Sequence, residues 1–144
     1  MANTKKKPAK AGVSLTRLEL RVVFRYLSAP MHGDDAKFRH EILKILRPAY
    51  EKIIDGRQEI MLSYSEKGED GKPLILDGQY KILAEKKGEA TQKSVEYLLG
   101  DSGVTLDKKT ATKLAFVIDK NNRADMDIDE ADIYYQVLAK LESK

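Results

Sequence analysis

Cysteine is absent from this 144-residue chain, and histidine is limited to His32 and His40. The first absence excludes a disulfide scaffold, a thiol nucleophile and any cysteine-ligated zinc or iron–sulfur centre. The second leaves too few imidazoles for a histidine-rich metal site. Long apolar runs are missing as well: the longest span a few residues, far below the ~20 that cross a bilayer as a helix. No apolar stretch follows the basic opening residues, which therefore do not read as a secretory signal. There is no Gly-x-Ser-x-Gly elbow, no glycine loop to cradle a phosphate and no evident partner for either histidine. These gaps argue against an enzyme. No cofactor and no membrane partner are expected, and the cytoplasm is the expected location.

What is present fits one ordinary domain. Hydrophobic residues make up 42% and charged residues 34%, a soluble globular profile. The net charge of +3 conceals an asymmetry, because residues 1–47 hold eleven Lys/Arg against four Asp/Glu while the remainder is acidic. One end is thus suited to attract a polyanion, although a strong nucleic-acid binder usually has a larger positive excess. Lys5, Lys6, Lys7 and Lys10 stand in a low-complexity stretch, and residues 1–13 read as a disordered basic arm ahead of a single domain, 14–144.

Helical punctuation begins at Thr16-x-x-Glu19, the pattern of a capping box, and the helix is expected to run to about Ser28, before Ala29-Pro30. Arg17, Arg21 and Arg25 share one stripe of it, with Leu20, Val23, Phe24 and Leu27 on another face. His32 to Asp35 reads as a loop ending in an N-cap carboxylate. Phe38, Ile42, Ile45, Leu46, Ala49, Ile53, Ile54, Ile60, Met61 and Tyr64 then recur at three-and-four spacing, the strongest helical signal in the chain. Pro48 is expected to kink or break that helix near Arg47. Asp77-Gly78 between Leu74–Leu76 and Tyr80–Ile82 predicts a hairpin near 73–83 that must lean on the helices. A helix over 89–99 capped by Gly100, a brief strand at Val104–Leu106 and a helix opened by Asp129 follow. Residues 107–118 are ambiguous between helix and strand, with alanine content favouring helix. The expected fold is α+β and mainly α: a kinked long helix packed with shorter helices and one small hairpin.

Two constellations bear on function. The arginines Arg17, Arg21 and Arg25, with Lys5, Lys6, Lys7 and Lys10, form a candidate phosphate-binding surface, the alternative being that the arginines pair with acids such as Glu41, Glu51 or Asp55. Asp119, Asn121, Asp125, Asp127 and Glu130 resemble an EF-hand calcium loop, with Arg123 standing where an oxygen ligand belongs and Ala124 where the turn glycine belongs. The competing reading is an acidic linker that caps the last helix through Asp129 and Glu130.

The order of elements carries a further likeness. A long helix with Pro48-Ala49-Tyr50-Glu51 and Arg57 to Tyr64 is followed by the Glu69–Pro73 turn and the Asp77–Tyr80 hairpin. A short helix ending Tyr97-Leu98-Leu99, a strand and a terminal helix complete it. Over residues 35–142 this order resembles a family of short tailed-phage proteins with no assigned activity. The resemblance implies a phage origin, a place in the host cytoplasm or the virion, and an assembly or host-interaction role; it implies no catalytic residues.

The leading expectation is a small non-enzymatic protein that works through contact with another protein. Arg57, Glu59 and the Asp77-Gly78 tip would form its presented surface, and the apolar seam of the long helix would permit self-association. A nucleic-acid accessory protein is the alternative, and a degenerate EF-hand-like calcium module is the second alternative.

Overall fold

The computed structural model describes residues 12–143, so Lys5, Lys6, Lys7 and Lys10 lie outside the described residues. The chain is α+β and mainly helical. In order, it forms β1 (Gly12–Thr16), α1 (Arg17–Tyr26), α2 (Gly33–Ser63), β2 (Ile75–Leu76), β3 (Gln79–Tyr80), a 3-10 turn (Ala84–Lys86), α3 (Lys87–Leu98), β4 (Asp101–Asp107), α4 (Lys108–Asn121) and α5 (Ile128–Glu142).

Order begins earlier than the capping box suggests. Gly12 and Val13, assigned by composition to the arm, belong to β1, which pairs antiparallel with β4 from Gly12↔Asp107 to Leu15↔Val104. Alternation puts Val13 and Leu15 on the same buried face as Val104 and Leu106. The ladder slips between Leu15 and Thr16. There Ser102 Oγ donates to the Leu15 carbonyl at 2.7 Å, and Gly103, at φ +84°, turns the strand.

Thr16 ends β1 and caps α1, with Thr16 and Glu19 completing the capping box. Helix α2 runs unbroken through Pro48. The ring leaves the Lys44 carbonyl without its helical donor, at a place where Lys44 and Pro48 are both exposed rather than in the core. Residues 108–118 of the ambiguous stretch are helix, and Asp107, the last residue of β4, caps α4 by accepting from the Thr110 amide at 2.7 Å. Asp127, rather than Asp129, caps α5, in a capping box with Glu130. Gly100 does not take a left-handed cap conformation; its missing side chain leaves room for the Arg17 guanidinium.

The core lies where α1, α4, α5 and the β1–β4 ribbon meet, around Leu20, Val23, Leu114, Ile118, Tyr134 and Leu141. Helix α2 adds only Ile42, Leu46 and Ile53 as fully buried positions. Its predicted seam is real but shallow, since Ile45 and Ile54 remain exposed. The hairpin forms where Asp77-Gly78 places it, with both turn residues at positive φ, the type I′ geometry that fits strand twist. Support comes first from the chain just after α2: the Glu66 amide donates to the Lys81 carbonyl at 2.7 Å, and the Leu74 amide donates to the Glu66 carbonyl at 2.8 Å.

Candidate functional site: a hollow with two arginines

On α2, Tyr50, Ile53, Ile54, Arg57 and Met61 recur at helical spacing and share one stripe. That stripe faces Arg21 of α1 on one side and Ile75, Gln79, Tyr80 and Ile82 of the hairpin region on the other, and together they line a hollow of about 510 Å³. Tyr50 is fixed from outside by Phe24, one turn beyond Arg21, through a parallel stack with centroids 3.9 Å apart.

The electrostatics of the hollow are one-sided. Arg21 and Arg57 both line it, and its lining contains no carboxylate. Burial, and then the charge of Arg57, hold the Arg21 guanidinium below its ordinary pKa, with Tyr50 acting in the opposite sense. The Nε of Arg57 is closed off from solvent and donates to nothing among the described residues. A buried donor left unpaired typically costs about 1–3 kcal/mol. The apolar stripe supplies packing around this charge rather than neutralisation. The arrangement therefore holds two fork-shaped donors beside isoleucine and tyrosine surface, which is the chemistry of oxyanion recognition.

The predicted arginine surface is divided by the fold. Arg17 is spent internally: its Nη1 donates to the Tyr97 carbonyl at 2.8 Å, and its guanidinium lies 4.1 Å from the centre of the Tyr97 ring. Arg25 pairs with Glu130 at 2.9 Å. Arg21 alone of the three faces the hollow. None of them pairs with Glu41, Glu51 or Asp55 among the described residues, because α1 meets α2 through Phe24 and Arg21 and turns its other edges towards α3 and α5. Of the expected presented residues, Arg57 is half-buried in the hollow wall, Gly78 borders the hollow, and Glu59 is exposed.

The structure does not gather the EF-hand candidates into one loop. Asp119 and Asn121 are inside α4, where a calcium loop would have to begin. Asp119 accepts from the Tyr134 hydroxyl at 2.9 Å, and Asn121 donates to Asp35 at 3.0 Å. Asp127 and Glu130 are occupied in the α5 capping box, and Glu130 also holds Arg25. Asp125 is exposed and stands apart from them. Among the described residues, no group of three or more His, Asp or Glu side chains is placed to hold a metal ion.

Sequence reasoning missed the pairing of Arg21 with Arg57 because it depends on how α1 crosses α2. One local signal was available: an arginine in the same stripe as Tyr50, Ile53 and Met61, where an apolar residue is expected.

No helix among the described residues is long and apolar enough to cross a membrane. No family model, curated protein or solved structure matches this chain.

Proposed function

We propose that this is a non-enzymatic protein that works by contact with another protein, in an assembly or accessory role. Its contact face would be the outer surface of the hairpin with the end of α2. The observation that carries this reading is the state of Ile75 and Leu76. Consecutive residues of a strand point to opposite faces: Ile75 borders the hollow yet is 64% exposed, and Leu76, on the opposite face, is 61% exposed, so the domain leaves the outer face of the hairpin uncovered and the inner face only partly covered. Leu74, next to the hairpin, and Leu62, in the last turns of α2, are exposed as well. Large apolar side chains left exposed together on one small hairpin mark an interaction site more often than isolated surface leucines do. Assembly of a phage particle is the setting that the order of elements suggests, and the genes flanking this one test that setting.

The direct test is a Leu76→Asp variant, which leaves Ile75 in the wall of the hollow unchanged. The Leu76 side chain is already largely in water, so the fold and melting temperature should stay close to wild type. A protein captured by the wild-type chain from host lysate, or self-association seen by sedimentation, should be lost in the variant. Retention of every such contact by the folded variant would remove the hairpin face from consideration.

A further inference from the structure

We propose that the hollow between α1, α2 and the hairpin is a binding site for a small organic oxyanion, a carboxylate or phosphate held by Arg21 and Arg57 and carried on an apolar body that rests on the isoleucine wall. This site shares Ile75 with the hairpin but opens on its inner side, and it stands whether or not the outer face around Leu76 docks a protein.

Three observations converge on it. The first is the contrast among the arginines of α1. Arg17 is engaged by a backbone carbonyl and an aromatic ring, and Arg25 by a carboxylate, whereas Arg21 shares its space with a second guanidinium and no acid. The second is the Arg57 Nε, enclosed by protein and unpaired. An arginine on a helix surface normally keeps its whole head in water; here part of the head is held within the wall. The third is shape. At about 510 Å³ the hollow falls within the size range of small-molecule sites and exceeds the needs of a bare inorganic anion. Ile53, Ile54 and Ile82 line the remaining space and match an apolar body. An oxyanion there would lower the repulsion between the two guanidinium groups and offset the charge of Arg57, whose enclosed Nε–H has no partner, and its apolar portion would leave water.

The experiment is a titration of the full chain followed by the ¹H–¹⁵N signal of the Arg57 side-chain Nε–H and by thermal unfolding. The probes are phenyl phosphate, 3-phenylpropionate, inorganic phosphate and neutral benzyl alcohol. Phenyl phosphate or 3-phenylpropionate, or both, should shift the Arg57 signal saturably and raise the melting temperature; which one binds tighter identifies the headgroup. Inorganic phosphate should bind at least about tenfold more weakly, because it lacks the apolar body. Arg21→Gln and Arg57→Gln should each weaken binding by about tenfold or more, the loss expected for a charged hydrogen-bonded pair. Arg57→Lys, which keeps the charge and removes the fork, should also bind more weakly while its circular dichroism matches wild type. The proposal is overturned by the absence of saturable change with both organic anions up to about 10 mM. It is equally overturned if benzyl alcohol acts as strongly as the anions, or if the folded Arg21→Gln variant binds as tightly as wild type.

Discussion

Glu19 shows how single side chains hold the helices in place. Its Oε1 accepts from the Thr16 amide at 2.8 Å and from Lys140 at 2.7 Å, so one carboxylate closes the capping box of α1 and ties α1 to the end of α5. Burial by itself would raise the Glu19 pKa, but the bonds from Lys140 and from the Thr16 backbone outweigh it and hold the carboxyl below its usual range. The folded value thus lies below the unfolded one. The stabilisation is complete above the unfolded value of about 4.3 and is lost as pH falls through the folded one. Urea midpoints at about pH 6 and about pH 3 should therefore differ more for wild type than for Glu19→Gln, which keeps an acceptor oxygen and cannot titrate. Equal acid sensitivity in the two proteins would place the labile groups elsewhere. At this scale the sequence was informative where partners are local. Thr16 and Glu19 are three residues apart and were read correctly. The Arg17–Tyr97 contact joins residues remote in sequence, and Gly100 looked like a helix cap because nothing nearby reveals that Arg17 needs its space.

Whole elements were legible to the extent that their signals are periodic or confined to a turn. Asp77-Gly78 specified a hairpin because both positions require positive φ, and the α2 periodicity survived the proline inside it. Strand β1 was missed because its five residues contain no turn signal and their partners lie far along the chain, Ser14 bonding Thr105 across 91 positions. The same limit shifted the α5 cap from Asp127 to Asp129, since both are acids next to a helical run. Pro48 is the instructive exception. A ring in mid-helix predicts a kink or break; no break occurs, and the buried positions Ile42, Leu46 and Ile53 fix both halves against their neighbours. Pro48→Ala should restore the bond to Lys44 and remove the ring's clash with the preceding turn. The expected gain is roughly 1–3 kcal/mol, the scale of proline's cost in a helix interior. Denaturant unfolding measures it directly, and an unchanged or lower midpoint would mean that the core depends on a bend at this position.

Across the molecule, burial is unevenly distributed, and both candidate surfaces lie at its sparse end. Helix α4 buries Ala111, Leu114, Ala115, Val117 and Ile118, and α5 buries Tyr134, Val137, Leu138 and Leu141. From Ile54 to Leu83, covering the end of α2 and the hairpin, the only fully buried side chain is that of Ser65. A segment with so little buried apolar area has little to lose on opening, so it should open without the rest of the chain. Amide exchange under native conditions should therefore divide into two classes. Amides of α4, α5 and the β1–β4 ladder should exchange through global unfolding and accelerate as urea is added. Those of β2, β3 and the last turns of α2 should exchange through smaller openings that urea hardly affects. Because Arg21 sits on the firmly packed side of the hollow and the hairpin on the loose side, an anion bound between them would join the two. Phenyl phosphate or 3-phenylpropionate should then slow exchange in the hairpin selectively and leave α4 at its global rate. Uniform protection across both regions without any ligand would show instead that the hairpin is already as firmly held as the core, and that the hollow is rigid before anything enters it.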